Sequence, residues 1–398
     1  MPEIHKLPEG WKLTKISEVC EINPRIPKEF QRLPEALTTF VPMAAVDEKT
    51  GSILNAKTVP YHKVAKGYTY FEENDVLFAK ITPCMQNGKH AIARDLIDGI
   101  GFGSTEFHVL RPKRDKVIPE WIWYFIRQPC FLREAAAYFT GAVGQQRVPE
   151  YFLSQYVIPL PPLSVQQRIV AKVKELMDDV EKARTACERQ LEAVKALPAA
   201  YLRQVFESEE AKKWERKRLG EVCEVTMGQS PPGHTYSDTP IGLPFFQGKA
   251  DFGGYFPTVR VWCSHPIKIA EEGDVLISVR APVGPVNMSN LKCCIGRGLA
   301  AIRCRNNPLN WYVFWYLRFL EPQMSLVGSG STFNAVTYEE LYEISIPLPP
   351  LSVQQRIVAE LREKMAEVEK LRQTIEKQLE TINALPQAIL RKAFRGEL

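Results

Sequence analysis

Residues 158–171 read IPLPPLSVQQRIVA, and residues 346–359 read the same fourteen letters. The two copies stand 188 residues apart in a chain of 398 residues. Two copies at close to half the chain length indicate an internal duplication, because a solenoid would need three or more shorter units. A chain built from two related halves is expected to have approximate two-fold symmetry.

A long amphipathic segment follows each copy. Apolar residues recur every three or four positions from Ile169 to Leu197 and again from Ile357 to Leu385. This spacing averages near 3.5 residues, which is typical of a coiled-coil seam. The remaining positions are mostly Glu, Lys, Arg and Gln, which favour helix and keep the outer face solvated. We therefore predict two long helices, each roughly 50 Å in length at ~1.5 Å per residue.

Proline pairs at 161–162 and 349–350 set the start of each helix, because they cannot lie inside one. Ser164 and Ser352 are the predicted N-caps, and a glutamine follows each at the capping-box spacing. A later proline, Pro198 and its repeat 188 residues on, is expected to kink or end each helix.

The regions that precede the two helices are also related, although weakly. Residues 11–21 and 214–224 share a tryptophan and a Glu-Val-Cys-Glu ending, and residues 72–77 resemble residues 271–276. Short apolar runs after turns predict strands, and aromatic stretches in both regions predict core helices. Each region is therefore predicted to be a mixed domain of ordinary size.

The predicted fold is α+β, with two mixed α/β domains separated by two long helices. About 140 residues lie between the helices, too many for a hairpin loop. A pseudo-two-fold axis would then make the helices run antiparallel as a coiled coil. The predicted division, in chain order, is a first domain at 1–160, a first helix at 161–210, a second domain at 211–346 and a second helix at 347–398.

Composition and missing motifs favour a binding protein. The formal net charge of +5 permits nucleic acid as a partner without requiring it. No apolar run in the sequence reaches the ~18–20 residues of a membrane span. The nine cysteines include no CxxC pair, so we predict reduced thiols and a cytoplasmic protein. The sequence has no phosphate loop, dinucleotide fingerprint, nucleophile elbow or metal-ligand spacing, so we predict no catalytic residues and no metal site.

Two related but different domains on a rigid spacer suit duplex DNA, because a two-headed reader matches its half-sites to the spacing of its heads. Amide side chains pair with adenine, and basic side chains pair with guanine or phosphate. The candidate DNA-binding residues, all in polar or glycine-rich loops, are Lys80, Thr82, Gln86, Asn87, Lys89, Gln145, Gln146 and Arg147 in the first domain and Gln247, Lys249, Arg280, Arg297, Ser331, Thr332 and Asn334 in the second.

Lys80 and Arg280 occupy neighbouring rather than equal positions when the two domains are aligned. In a regular strand they would face opposite sides of the sheet. A bulge or a misplaced gap would reconcile the two.

The repeated Ile-Pro-Leu-Pro-Pro-Leu, followed by Gln-Gln-Arg-Ile-Val and a long charged helix, resembles the specificity subunit of type I restriction–modification enzymes. Residues 75–83, 87–89 and 274–284 resemble parts of the target-recognition domains of that family. The resemblance implies that each domain reads one part of a bipartite DNA sequence and that the helices set the spacer. It also implies partner contacts on the repeated segment, which we assign to Gln166, Arg168, Gln354 and Arg356.

The same resemblance implies that catalysis resides on other chains. Two modification subunits would dock on the helices and bring S-adenosylmethionine, and restriction subunits would bring ATP and Mg²⁺. No cofactor is expected in this chain.

Two alternatives stay open. A coiled-coil adaptor whose two domains bind protein would show no sequence-selective, salt-dependent binding of DNA. A fused or solitary methyltransferase would have to bind the cofactor with this chain alone, and the sequence lacks the motifs for that.

Overall fold

The computed structural model describes residues 7–142, 144–304, 307–327 and 335–398. The chain divides into two units, the first made of residues 1–186 and 378–398 and the second of residues 187–377. Each unit contains one mixed domain and one part of both long helices. Within the described residues, no helix combines the length and the apolar composition that a membrane span needs.

The first unit contains the elements up to and including the start of the first long helix, together with the end of the second long helix. Its strands are β1 (Lys12–Lys15), β2 (Cys20–Ile22), β3 (Leu37–Val41), β4 (Lys57–Pro60), β5 (Thr69–Glu72), β6 (Val76–Ala79), β7 (His90–Ile92), β8 (Ile100–Gly103), β9 (Phe107–Pro112) and β10 (Val157–Leu160). Its helices are α1 (Ile16–Val19), α2 (Pro119–Ile126), α3 (Pro129–Ala137), α4 (Glu150–Gln155) and the first part of α5 (Leu163–Phe206).

The second unit repeats this order. Its strands are β11 (Arg216–Arg218), β12 (Cys223–Met227), β13 (Tyr236–Ser237), β14 (Leu243–Phe246), β15 (Trp262–Cys263), β16 (Ile269–Ala270), β17 (Val275–Ser278), β18 (Val286–Met288), β19 (Cys293–Ile295), β20 (Leu299–Cys304) and β21 (Ser345–Pro347). Its helices are the rest of α5, then α6 (Leu219–Val222), α7 (Asn307–Val327), α8 (Tyr338–Tyr342) and the first part of α9 (Leu351–Arg395).

The sheets of the two units have the same topology. The order β2-β9-β6-β7 in the first unit matches β12-β20-β17-β18 in the second. The order β4-β3-β8-β5 matches β15-β14-β19-β16, to which the second unit adds β13 at one edge. In both units the central pair of this second sheet is parallel, β3 with β8 and β14 with β19. The α+β class predicted from the weak sequence repeat is therefore confirmed.

The repeated sequence joins a strand to a helix. Its first residues form β10, which pairs antiparallel with β1, and in the second copy they form β21, which pairs with β11. The proline pair then ends the strand because it cannot donate further ladder hydrogen bonds. The long helix begins immediately afterwards, at Leu163 and at Leu351.

Segments of the two long helices run antiparallel within each unit. In the first unit, Val173 near the start of α5 shares one hydrophobic core with Phe394 near the end of α9. In the second unit, Phe206 at the end of α5 shares a core with Leu361 near the start of α9. The domains contribute to the same cores, since the rings of Trp121 and Phe394 lie 4.6 Å apart. The predicted antiparallel direction is thus observed in both units.

The predicted N-caps of the long helices are wrong. Val165 and Gln166 donate their backbone N–H groups to the Pro162 oxygen at 2.9 and 3.0 Å, so the cap is the second proline and Ser164 lies in the first turn. Ser352 lies in the first turn of α9 in the same way. A proline is favoured at a helix start because its missing N–H would have no helical partner there.

The later prolines do not end the helices. Pro198 lies inside α5 and Pro386 lies inside α9, and each helix continues for a further two turns or more. The residues beyond each proline are amphipathic and bury apolar side chains such as Leu202 and Leu390. That burial offsets the cost of one lost helical hydrogen bond.

The expectation of reduced thiols fails for one pair of cysteines. Cys223 and Cys304 stand opposite each other in β12 and β20 and are joined by a disulfide. The corresponding positions of the first unit hold Cys20 and Pro112, so no bridge can form there. The remaining seven cysteines are free, as predicted.

A buried aspartate locks the same turn in both units. Asp75 accepts the Glu72 N–H at 2.7 Å and binds Arg111 through both of its oxygens. Asp274 repeats these bonds with its own turn and with Arg303. The shared Glu-Glu-x-Asp sequence is therefore a structural motif, which ties the turn before one strand to the strand beside it.

Replacing Asp75 with alanine should lower the free energy of unfolding by about 3 kcal/mol, because a buried acceptor with charged and backbone donors is lost. Urea denaturation followed by tryptophan fluorescence measures this change. Asp115→Ala is the matched control, since Asp115 is exposed in the same domain. Equal denaturation midpoints for the two variants would contradict the assigned role.

Candidate nucleic-acid interface

The two candidate loops of the first unit meet at the edge where β6 ends. Thr82 donates its N–H to the Gln146 oxygen at 2.9 Å, and Val148 donates to the Lys80 oxygen at 2.9 Å. Between these bonds, Ile81 and Arg147 form an antiparallel bridge. The sequence identified the loops separately, and the tertiary structure brings them together.

Buried polar groups hold this pair of loops in place. His108 lies on β9 and its Nε2 donates to the Val148 oxygen at 2.9 Å. Burial lowers the pKa of His108, so the ring stays neutral and keeps one nitrogen as an acceptor. The Asn23 side chain contacts the other ring nitrogen at 3.0 Å and also donates to Glu150 at 2.7 Å.

Several candidates of the first loop make hydrogen bonds inside the domain. Thr82 Oγ1 donates to Gln86 Oε1 at 2.7 Å, and Lys89 Nζ donates to the Val46 oxygen at 3.2 Å. Asn87 donates to Glu48 at 3.4 Å. These bonds limit how freely the four side chains can turn toward a ligand, and their DNA-binding role stays a prediction.

Other candidates keep their side chains unengaged. Gln145 and Gln146 make no side-chain hydrogen bond among the described residues, and Gln145 is exposed. The Lys80 amine likewise makes no hydrogen bond or ion pair within the described part of the chain, and its burial lowers its pKa. These three side chains can reach a ligand without breaking a bond in the protein.

A carboxylate that the sequence did not single out completes this edge. Glu106, which follows β8, receives Arg147 Nε at 2.7 Å and Nη2 at 2.8 Å. These hydrogen bonds lower the pKa of Glu106 below its ordinary value. No motif in a single sequence marks Glu106, because its partner is 41 residues away and only the fold joins them.

The Glu106–Arg147 pair should persist in mild acid. A carboxyl whose pKa is lowered in the folded state contributes stability that is complete above its ordinary pKa and lost as the pH falls through the lowered value. A carboxyl NMR titration should therefore give Glu106 a midpoint below 4.5, the ordinary value. Arg147→Gln should return the midpoint toward 4.5, and an unchanged midpoint would show that Arg147 is not the cause.

The second unit builds the same edge with other side chains. Val279 donates its N–H to the Gly298 oxygen at 2.9 Å, as Lys80 does to the Glu106 oxygen. Arg280 and Ala335 then form the antiparallel bridge that Ile81 and Arg147 form in the first unit. Arg280 is exposed and its side chain makes no bond among the described residues.

This comparison resolves the register of Lys80 and Arg280. The equivalent of Lys80 is Val279, because both donate to the loop that follows the parallel strand pair. Arg280 therefore corresponds to Ile81, and neither a bulge nor a misplaced gap is present. The two basic residues occupy different positions in the two units.

Two more candidates of the second unit lie at this edge. A side chain at Gly298 would meet the Gln247 oxygen at 2.3 Å, so only glycine allows the loops to approach so closely. Arg297 stands beside this glycine and donates its backbone N–H to Ser230 Oγ at 3.2 Å. The side chains of Gln247 and Arg297 are exposed.

The remaining candidates of the second unit lie elsewhere. Lys249 is exposed in a short helical turn after β14. Ser331, Thr332 and Asn334 fall outside the described residues. Gln229, which the sequence did not single out, follows β12 and is exposed beside this edge.

Comparison with known proteins agrees with this duplicated architecture. The family model for the type I restriction modification DNA specificity domain matches the chain twice, over residues 8–189 and 211–381. The chain belongs to the type I restriction–modification specificity subunit family.

One relative and two solved structures illustrate alignments that run along nearly the whole chain. The putative type I restriction enzyme MjaX specificity subunit of Methanocaldococcus jannaschii is 29% identical over 383 residues, covering 90% of this chain and 88% of the relative. The HsdS subunit structure from Thermoanaerobacter tengcongensis is 38% identical, with a TM-score of 0.77 over 100% of this chain and 99% of that one. A chain from a structural study of complex assembly and conformational transition in a type I R-M system is 39% identical, with a TM-score of 0.84 over 99% of this chain and 100% of that one.

The four residues that the sequence predicts to bind partner subunits are of two kinds, buried glutamines and exposed arginines. Gln166 is fully buried, donates to the Lys116 and Pro161 oxygens, and accepts the Ile118 N–H at 3.1 Å. It fastens the start of α5 to the segment before α2, so in this structure its side chain is not presented to a partner.

The second copy shows the same division. Gln354 is buried and donates to the Pro349 oxygen at 2.8 Å. Arg168 and Arg356 are exposed, and Arg356 lies 3.9 Å from Glu210 and 4.0 Å from Glu360. Of these four residues, only Arg168 and Arg356 have exposed side chains that a partner could contact, and their partner-binding role stays a prediction.

Proposed function

We propose that this specificity subunit reads a bipartite, asymmetric DNA target, with one half-site for each domain. The observation that supports the proposal is that each unit has its own copy of the same loop edge. The same backbone hydrogen bonds build it, whereas its side chains differ, as with Glu106 and Gly298 or Arg147 and Ala335. Equal scaffolds with unequal side chains suit the reading of two unequal sequences.

We further propose that the chain supplies specificity and leaves catalysis to its partners. Two modification subunits would dock through surfaces that include Arg168 and Arg356 and bring S-adenosylmethionine. Restriction subunits would bind to the modification subunits and would bring ATP and Mg²⁺. Membership of the family supports this division of labour, and a cytoplasmic location follows from a substrate that is cellular or incoming DNA.

Mapping methylated adenines in the DNA of cells that express this chain with its modification subunits tests the proposal. We expect one interrupted motif with a methylated adenine on each strand, on either side of an unspecified spacer. An uninterrupted motif would contradict the two-half-site arrangement. The absence of sequence-selective, salt-dependent binding to DNA would instead favour the protein-binding adaptor.

Exchanging residues 1–155 for the corresponding segment of another family member should change one half-site and leave the other intact. The reason is that β1 to β9 and the loops of the first edge all lie within that segment. Methylation mapping of the hybrid reads both half-sites in one experiment. A change in both half-sites would show that the domains do not read independently.

Lengthening both long helices by one turn should change the number of unspecified bases between the half-sites. Each long helix is continuous over its whole length, including its proline. An insertion of about four residues therefore lengthens the helix by ~6 Å. The insertion belongs near residue 187 in α5 and near residue 377 in α9, where the units divide. Unchanged spacing with retained methylation would contradict the helices as the determinant of the spacer.

A further inference from the structure

Each unit has an antiparallel bridge between its two edge loops, and one residue of each bridge is an arginine. The arginine lies in the second loop of the first unit and in the first loop of the second unit. In the first unit the pair is Ile81 with Arg147, and in the second it is Arg280 with Ala335. Residues directly opposite in an antiparallel bridge direct their side chains to the same face. Each candidate interface therefore presents one guanidinium at the same place on its edge.

Among the residues that the structure describes, the arginine of the first unit is held by a carboxylate and the arginine of the second unit is not. Glu106 and Gly298 occupy equivalent positions, because the backbone oxygen of each accepts the N–H of the residue that precedes the bridge. Glu106 binds Arg147 through two parallel hydrogen bonds, whereas the second unit has no side chain at Gly298 to hold Arg280. At these positions the two units therefore differ in two ways: the first unit has an acid where the second has Gly298, and the arginine lies on the other side of the bridge.

The hydrogen bonds of Arg147 leave part of its guanidinium available. Nε and Nη2 donate to Glu106, and Nη1 donates to the Gln145 oxygen at 3.0 Å. A guanidinium carries five N–H donors, so two remain after these three bonds. The Arg147 side chain keeps 40% of its surface exposed.

The carboxylate argues for base reading over phosphate binding. A paired Glu106 cancels most of the charge of Arg147, and a phosphate contact depends on net positive charge. The same pair restricts the rotamers of Arg147 and directs its plane, which is what bidentate hydrogen bonding to guanine O6 and N7 requires. Orientation is gained at the expense of charge.

We propose that Arg147 reads a guanine in the half-site of the first domain and that Glu106 is the positioning residue that orients it. This inference rests on the proposed function, since it assumes that the edge meets DNA. It assigns a chemistry to one candidate residue and a role to Glu106, which no sequence motif indicates.

The test uses the full chain assembled with its modification subunits and a library of duplexes randomised across the first half-site. Binding selections at two salt concentrations are compared for the unaltered chain, Arg147→Ala, Arg147→Lys and Glu106→Gln. Arg114→Ala is the matched control, because Arg114 is an exposed arginine of the same domain away from this edge.

Arg147→Ala should lower the preference for guanine at one position by about 10- to 100-fold and leave the second half-site unchanged. Arg147→Lys keeps a charge beside Glu106 but lacks the planar fork, so it should not restore the preference. Glu106→Gln should weaken the same position by a smaller factor. The salt dependence of binding should change little in Arg147→Lys, because that variant keeps the charge of the pair.

Other outcomes would overturn the inference. A uniform loss over all sequences, with a salt slope smaller by about one, would make Arg147 a phosphate contact. Full guanine preference in Arg147→Lys would show that a planar fork oriented by Glu106 is not needed, which removes the positioning role of Glu106. Selective binding with no change at any position would reduce the pair to a loop anchor. No sequence preference in the unaltered complex would instead refute the proposed function itself.

Discussion

The structure depends on the burial of both long helices in the hydrophobic cores of both units. Helix α5 contributes Val173 to the first core and Phe206 to the second, and α9 contributes Leu361 to the second core and Phe394 to the first. Fully burying one such side chain stabilises the folded state by about 1.5–3 kcal/mol. An isolated helix of this polarity would gain no comparable stability, so the helices and the domains stabilise each other.

The structural roles of the repeated segment explain why its two copies have the same sequence. In both copies the segment must end a strand, begin a helix and bury a glutamine. The Gln166 amide meets three backbone groups, whereas the Gln354 amide bonds to the Pro349 oxygen. Each requirement restricts residue type, because a buried amide without partners costs free energy. The domain edges face fewer restrictions of this kind, one of them at Gly298, where a side chain would meet the Gln247 oxygen. Their backbones are held by hydrogen bonds between main-chain atoms, so side chains such as Glu106 and Arg280 are free to differ.

This division fits our proposal that one fold reads two different half-sites. The turn-locking aspartates, Asp75 and Asp274, and the shared sheet order keep the loops in equivalent places. We propose that the reading of DNA then depends on which side chains stand at the edge and on whether another side chain orients them. Arg147 is paired with Glu106, whereas Arg280 has no carboxylate partner in the described part of the chain, so one backbone carries two different arrangements.

The sequence alone determined the duplication, the two helices, their antiparallel direction and the α+β class. These follow from periodicity and repetition, which are local or depend on a single offset. It misplaced the helix caps and treated Gln166 and Gln354 as surface residues, because burial depends on segments such as Lys116 that are distant in sequence. Only the tertiary structure decided which loop residues meet, since Glu106 and Arg147 come together through strand pairing across 41 residues. Local sequence encodes the scaffold, and the pairing of distant segments creates the edge that we propose reads DNA.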